Sequence, residues 1–155
     1  DHELLIEQRY QSGDDQRFIA DLLPYLQDPR YIRVDGRPLL IVYSPQRMPN
    51  AAKSAEVWRQ HCRTEGVGEI HICAALTHGN EEYEKFGYDS GVEFPPHNIR
   101  QPNINTSIRF YKDFRGSVFQ YSEIADSYLA RTYPGKRIFK SVFPSWDNTA
   151  RTAER

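Results

Sequence analysis

The chain has 155 residues, a length that fits one domain with a sizeable core. Its 20 lysine and arginine residues are nearly matched by 21 aspartate and glutamate residues, so the net charge is −1 and no long-range attraction to nucleic acid or anionic membrane is expected. No apolar run approaches the roughly 20 residues of a membrane helix. We therefore expect no nucleic-acid partner and no membrane span.

The N-terminal residues lack the character of a signal peptide. Cys62 and Cys73 are the two cysteines, and they do not form the framework of a small disulfide-rich protein. We expect free thiols in a reducing compartment, and a cytoplasmic location. Aromatic residues make up 13% of the chain, which suits both a packed core and a cleft that binds sugars.

The first predicted element is a helix that Asp14 and Asp15 can cap and that Pro24 ends or kinks. Its apolar stripe consists of Phe18, Ile19, Leu22, Leu23 and Leu26. A hairpin follows, with its tight turn at Asp35-Gly36. Residues 39–43 are continuously apolar, which predicts a strand covered on both faces and hence a parallel sheet.

Helices and strands continue to alternate along the rest of the chain. Asn50 can cap a helix that buries Ala51, Ala55, Trp58 and Cys62, and Gly66 can end it. Residues 70–76 form the next predicted strand, followed by a short helix at 80–86 that Gly87 ends and a brief strand at 90–94. Ser122 and Glu123 begin a final helix packed through Ile124, Tyr128 and Leu129, and a turn at Pro134-Gly135 leads to a last strand at 137–143.

This alternation predicts parallel βα units, arranged either as an open doubly wound sheet or as a closed barrel. Four such strands are half of a (β/α)8 barrel, which typically needs about 250 residues. We predict an α/β fold: residues 1–155 form a single domain that is an interior portion of a (β/α)8 TIM-type barrel.

Five motifs, in order along the chain, make the sequence recognisable. They are Leu5-Ile6-Glu7-Gln8, Asp28-Pro29-Arg30-Tyr31-Ile32, Asp35-Gly36-Arg37-Pro38-Leu39-Leu40, Val92-Glu93-Phe94-Pro95-Pro96 and Trp146-Asp147-Asn148-Thr149. Together they resemble the WbsX-like family of polysaccharide glycosyltransferases, which is similar to glycoside hydrolase family 99, the endo-α-mannosidase-like enzymes. The resemblance implies a (β/α)8 barrel that acts on sugars.

Two segments of the resembling families do not occur in these residues. One is an upstream Trp-rich strand, and the other is a downstream Asn-Glu-Trp-x-Glu-Gly segment in which the hydrolase-like members place their catalytic carboxylates. The resemblance therefore assigns no catalytic pair to this chain, and we expect the segment alone to be inactive.

Ligands of α/β folds bind at the carboxyl ends of the strands. Glu93 lies at such an end, where it can bind sugar hydroxyls or have a raised pKa; the alternative is a carboxylate bonded to backbone. If a catalytic group lies in the chain, Glu93 and Asp147 are the candidates.

Besides Glu93, five residues are predicted to bind substrate. Tyr43 ends its strand, Trp146 can stack on a sugar face, and Asp147 and Asn148 can bind hydroxyls, with Arg151 joining them. The alternative is a loop in which Asp147 and Asn148 satisfy their own turn.

The segment 97–121 has no clear periodicity, and connections of this length usually have a function. Its basic and aromatic side chains can close over a glycan or an anionic sugar donor, although a solvated connection explains them equally well. These side chains are Arg100, Arg109, Tyr111, Lys112, Phe114 and Arg115.

His71 and Cys73 share one face of a strand and His78 follows, which raises a metal site as a hypothesis. The spacing does not favour it, so we predict neither a metal nor a cofactor. Cys62 is expected to be a buried apolar residue rather than a nucleophile.

The sequence thus predicts the substrate-binding part of a glycosyltransferase or glycoside hydrolase of bacterial surface polysaccharide metabolism. The competing hypotheses are a barrel that binds glycans without catalysis, and a metal-dependent hydrolase. An isolated half-barrel would also expose strand edges and apolar faces, which predicts self-association.

Overall fold

The structure is a computed structural model, and it describes residues 9–79, 81–110, 114 and 116–148. In this part of the chain the helices are α1 (Asp14–Leu26), α2 (Ala51–Thr64) and α3 (Tyr121–Ala130). The strands are β1 (Arg33–Val34), β2 (Arg37–Tyr43), β3 (His71–Leu76), β4 (Ser90–Glu93) and β5 (Ile138–Phe139). Short 3₁₀ turns occur at Pro45–Arg47, Tyr83–Phe86 and Asn105–Ser107.

The strands form one five-stranded sheet whose spatial order, β1-β2-β3-β4-β5, follows the chain. β1 and β2 are antiparallel, whereas β2 to β5 are parallel to one another. Asp35 and Gly36 both have positive φ, 51° and 76°, as the predicted tight hairpin turn requires. The prediction of an α/β fold with a parallel sheet is confirmed, and the barrel stays a prediction.

Helix α2 forms for the reasons that its sequence indicates. The Asn50 side chain accepts a hydrogen bond of 3.0 Å from the Lys53 amide, and Gly66 lies just past the end in a left-handed conformation with φ 78°. The predicted inward stripe is buried, with Trp58 3% and Cys62 0% exposed. Both the cap and the stripe are confirmed.

The other helix ends differ from the predictions by a residue or two. Gly13 precedes α1 in a left-handed conformation without a side-chain cap, so Asp14 and Asp15 lie in the first turn, where their charge suits the helix dipole. Pro24 is inside α1, which ends two residues later. α3 begins at Tyr121 after Gln120, and its Leu129 is 78% exposed rather than packed.

The prediction that β2 is covered on both faces is wrong for the described residues. Leu40 and Val42 are buried, but Ile41 and Tyr43 are 49% and 51% exposed. Leu40 and Val42 belong to the main core, which also contains residues of α1, α2 and β3. One face of the sheet therefore packs against helices, and β2 leaves its other face open to solvent.

β5 is shorter than the predicted strand, because its pairing with β4 is limited to Gly91 with Ile138 and Val92 with Phe139. Close packing around Gly91 disfavours a side chain at this position. A Cβ there would lie 2.7 Å from Ile138 Cδ1 and 2.8 Å from Leu76 Cδ2, which is closer than carbon atoms approach.

None of the helices in the described ranges has the length and apolarity of a membrane span. Cys62 and Cys73 are buried and free, as predicted. Burial raises the pKa of the Cys62 thiol to about 11, which suits a packing residue and not a nucleophile.

Candidate functional site

The carboxyl ends of β2, β3 and β4 lie at one edge of the sheet, because the three strands are parallel and adjacent. Each end is followed by a non-glycine residue with positive φ: Ser44 at 54°, His78 at 53° and, shortly after β4, Asn98 at 64°. Such conformations cost free energy and are concentrated at functional sites. This edge is where we place the candidate site.

Four rings from these strand ends meet there, and we call them the ring platform: Tyr43, His78, Phe94 and His97. The His78 and His97 centroids are 5.0 Å apart, and the Tyr43 centroid lies 5.5 Å from that of Phe94 and 5.9 Å from that of His97. The Tyr43 hydroxyl is within 3.2 Å of His97 Nε2. The contacts are edge-to-face or tilted, the arrangement that aromatic pairs prefer.

Hydrogen bonds fix the turns that support the ring platform. Asn98 Oδ1 accepts from the Gly79 amide at 2.7 Å, and Asn98 Nδ2 donates to the Leu76 carbonyl at 2.9 Å. Beneath them the buried hydroxyls of Ser44 and Thr77 are 2.9 Å apart. The turn after β3 is thereby tied both to the turn after β2 and to the segment after β4.

Helix α3 and Arg131, the residue just after it, hold the same segment. The Tyr128 hydroxyl donates to the His97 carbonyl, and Arg131 Nη2 donates to the Asn98 carbonyl at 2.7 Å. The Arg131 guanidinium also stacks over the Tyr128 ring, 3.7 Å from its centroid. Burial, and then the nearby His78, lowers the pKa of His97, so its imidazole is neutral at neutral pH.

A cleft of about 880 Å³ adjoins the ring platform. Its walls are residues 96–99, Phe114, residues 116–119, Tyr121, Ile124 and residues 143–148. The three described residues predicted to bind substrate after the last strand, Trp146, Asp147 and Asn148, line this cleft together with His97. The volume is that of a site for a small molecule or a few sugar residues.

The predicted loop over the site, residues 97–121, supplies one wall of the cleft. Asn105 ties the loop together, because its side chain donates to the Gly116 carbonyl at 2.7 Å and accepts from the Val118 amide at 2.8 Å. Arg100 Nη2 lies 3.8 Å from the Glu81 carboxylate. Tyr111, Lys112 and Arg115 of this loop lie outside the described residues, as does Arg151.

Glu93 is buried, but it does not face the ring platform. It lies in register with Leu76, whereas Tyr43 lies in register with Ala75, so Glu93 and Tyr43 start on opposite faces of the sheet. The Glu93 carboxylate accepts from the Tyr133 hydroxyl at 2.9 Å and the Ser141 amide at 3.1 Å. The carboxylate links β4 to the chain on both sides of β5, and its role as a ligand stays a prediction.

The three metal candidates do not come together. Arg37 Nη2 lies 3.0 Å from His71 Nδ1, and because arginine only donates, His71 Nε2 carries the proton that it donates to Ser90 Oγ at 2.7 Å. His71 and Cys73 do share a face, but His78 follows the opposite end of β3. Among the residues that the structure describes, no three potential ligands form a metal site.

Sequence reasoning placed His97 and Asn98 in the loop over the site but did not single them out as functional residues. Both lie just beyond the Pro95-Pro96 pair, where the search along the strand ends stopped. The available signal was the Asn98 residue type, since asparagine is one of the few residues that adopt the left-handed conformation readily.

The profile of the family described as Glycosyltransferase WbsX matches residues 1–155. The chain belongs to the WbsX glycosyltransferase family. Similar sequences include the uncharacterized protein WxcX from two strains of Xanthomonas campestris pv. campestris, each 36% identical over 151 residues. That match covers 97% of this chain but 22% of each relative, and no solved structure matches the chain. The chain thus spans about a fifth of the length of these curated relatives.

Proposed function

We propose that the chain forms the substrate-binding part of an enzyme that makes or breaks glycosidic bonds in the synthesis of a cell-surface polysaccharide. Membership of the WbsX family supports action on sugars. The observation on which the proposal rests is the cleft at the carboxyl edge of the sheet, where Trp146, Tyr121 and Phe143 lie beside Asp147 and Asn148. Aromatic faces with a few polar groups suit a sugar, whose ring has an apolar face and a polar rim.

The proposal includes the barrel. The parallel strands are adjacent in chain order, whereas a doubly wound sheet reverses its order at a switch point. One face of β2 packs against helices and contains Leu40 and Val42. The opposite face contains Ile41 and Tyr43, which are exposed. In a (β/α)8 barrel the helices cover the outside and the second face points to the barrel interior, which accounts for both observations.

The chemistry requires groups beyond those in the cleft walls. Glycosidic bond cleavage by hydrolases normally uses a pair of carboxylates, and Asp147 is the only carboxylate among the described residues that line the cleft. We propose that Asp147, Asn148 and Trp146 bind the sugar and that Tyr43 contributes from β2. A barrel that binds glycan without turnover is the second candidate, and the aromatic and polar lining of the cleft suits it equally.

The test is glycan binding by the intact protein. Oligosaccharides are released by mild acid from the surface polysaccharide of the cells that produce the protein, and they are titrated into the protein in a calorimeter. Trp146→Ala should weaken binding about two- to tenfold, since an aromatic contact contributes roughly 0.5–1.5 kcal/mol. Tyr25→Ala is the matched control, because Tyr25 is 62% and Trp146 61% exposed but Tyr25 lies on α1 and outside the cleft.

If the Trp146→Ala and Tyr25→Ala proteins bind the oligosaccharide with the same affinity, the proposed site is refuted. Product formation with and without an added activated sugar donor, read by mass spectrometry, separates the two candidates: cleaved glycan, or glycan extended when the donor is present, identifies an enzyme, and glycan unchanged under both conditions identifies a binding protein.

A further inference from the structure

The ring platform lies beside the cleft and touches it through one residue. His97 lines the cleft and also contacts the other three rings, with centroid distances of 5.0 Å to His78, 5.8 Å to Phe94 and 5.9 Å to Tyr43. Tyr43, His78 and Phe94 are not part of the cleft walls. The cleft and the ring platform are therefore two adjoining surfaces that share the His97 side chain.

The ring platform is accessible and apolar. Tyr43 is 51% and Phe94 41% exposed, and neither ring is needed to close the main core. Ile41, on the same face of β2 but two residues before Tyr43, faces the interior of the proposed barrel and is not part of the ring platform. Both rings lie at the carboxyl ends of their strands, which is the end at which (β/α)8 barrels bind their ligands.

The ring platform also has polar atoms at its rim. Arginine, lysine and carboxylate groups are absent from its four members, but the Tyr43 hydroxyl and the His97 imidazole can each donate and accept hydrogen bonds. The Tyr43 hydroxyl and His97 Nε2 pair with each other at 3.2 Å. A further lone pair of the hydroxyl and His97 Nδ1 are then left to bind a ligand. Uncharged donors and acceptors around aromatic faces match the hydroxyls and ring carbons of a neutral sugar.

The ring platform is held in place before any ligand arrives. Asn98 bonds both the Leu76 carbonyl and the Gly79 amide, so it fixes the turn that contains His78 relative to His97. The left-handed backbone at Ser44, His78 and Asn98 is the cost of this arrangement. Binding to a preformed surface avoids the entropic cost of ordering side chains.

We propose that the ring platform is a second sugar subsite, continuous with the cleft through His97, so that the ligand is an uncharged oligosaccharide that occupies both surfaces. This inference rests on the proposed function. One sugar residue lies in the cleft against Trp146, and another stacks on Tyr43 and Phe94 while its hydroxyls bond to Tyr43 and His97.

The experiment compares ligand lengths on the intact protein. Calorimetry measures the dissociation constants of the monosaccharide and of the disaccharide, tetrasaccharide and hexasaccharide from the same surface polysaccharide. Phe94→Leu keeps apolar volume and removes the ring face, and Tyr43→Phe removes only the hydroxyl. Tyr25→Phe and Phe18→Leu, on α1, are the matched controls, since Phe18 is 43% and Phe94 41% exposed.

With two subsites, affinity should rise between the short and the long oligosaccharides. Phe94→Leu and Tyr43→Phe should each weaken the longest ligand about three- to tenfold and leave the monosaccharide unchanged, whereas Trp146→Ala should weaken both. The control variants should change neither. Hydrogen exchange of β4 confirms that the Phe94→Leu protein is folded as in the wild type.

Three results would overturn the inference. Equal weakening of short and long ligands by Phe94→Leu would mean one undivided site, and no weakening by either variant would mean that sugar does not touch the ring platform. Both leave the proposed function standing if Trp146→Ala still weakens binding. The third result, no binding of any oligosaccharide by the wild-type protein, would overturn the proposed function and the second subsite with it.

Discussion

Replacing Asp89 by asparagine should loosen the amino end of the sheet, because this carboxylate joins three elements. Asp89 Oδ1 accepts from Arg37 Nη1 at 2.9 Å, and Oδ2 accepts from Arg59 Nη2 at 3.0 Å and from the Ile72 amide at 2.8 Å. These donors belong to β2, α2 and β3. Burial opposes the charge, but the Ile72 amide and the two arginines outweigh it and lower the pKa of Asp89.

The expected loss of stability follows from the exposure of the three charged groups. Exposed ion pairs contribute about 0–1 kcal/mol, and removing one partner of a buried pair costs about 3–5 kcal/mol. The Asp89 side chain is 20% exposed, and those of Arg37 and Arg59 are 30% and 17% exposed. We expect Asp89→Asn to lower the free energy of local unfolding by about 2–3 kcal/mol, between these limits.

Hydrogen exchange of peptides that cover β3 measures this local free energy without assuming that the whole protein unfolds in one step. Glu69→Gln is the matched control, since Glu69 pairs with Arg63 at 2.8 Å and the two side chains are 49% and 44% exposed. We expect it to cost less than about 1 kcal/mol. If Asp89→Asn changes the exchange of β3 no more than Glu69→Gln does, the reasoning is refuted.

Three further predictions concern the site and the core. Asn98→Ala removes the hydrogen bonds to Gly79 and Leu76 and should lower the free energy of local unfolding of the turn after β3 by about 1–3 kcal/mol. Asn98→Gly, which suits the φ of 64°, is the control that separates the lost hydrogen bonds from backbone strain. Hydrogen exchange of this turn that is unchanged in both variants would contradict the prediction. Burial lowers the pKa of His71, with Arg37 and Arg137 adding to the shift and Asp89 opposing it. The neutral His71 side chain therefore contributes to the free energy of unfolding above the ordinary histidine pKa, and this contribution is lost as the pH falls through the lowered pKa of the folded protein. The free energy of opening of β3, taken from hydrogen exchange corrected for the intrinsic exchange rate at each pH, should fall in that range more steeply in the wild type than in His71→Gln, and identical pH profiles would exclude the effect. Burial raises the pKa of Cys62 to about 11. Iodoacetamide at pH 8 should therefore leave this thiol unmodified in the folded protein and alkylate it in urea, as read by mass spectrometry. Rapid alkylation without urea would show that the thiol is accessible and would contradict the prediction.

The parts of the fold that the sequence predicts correctly depend on neighbouring residues. Helix α2 has its cap, its stripe and its terminating glycine within 17 residues, from Asn50 to Gly66, and each signal acts locally. The hairpin at Asp35-Gly36 is predicted for the same reason, since only small or turn-favouring residues adopt two consecutive positive φ angles.

The open face of β2 could not be predicted in this way. The apolar run 39–43 gives no indication of which face is covered, because coverage depends on elements distant in sequence. In the structure Leu40 and Val42 pack against helices while Ile41 and Tyr43 are exposed. An apolar strand is buried on both faces only where other elements cover both of them. Among the described residues, helices cover one face of β2.

The site shows the same division between local and distant causes. Searching just after each strand identifies Tyr43 and Trp146, because parallel strands bring their carboxyl ends together whatever the details of packing. The same rule identifies Glu93, but it cannot reveal that Tyr133 and Ser141, 40 and 48 residues later, bond to its carboxylate. His97 is not singled out because its position depends on Asn98, which bonds Leu76, 22 residues earlier. A strand-end rule therefore finds where a site lies, and the long-range hydrogen bonds decide which side chains there remain open to a ligand.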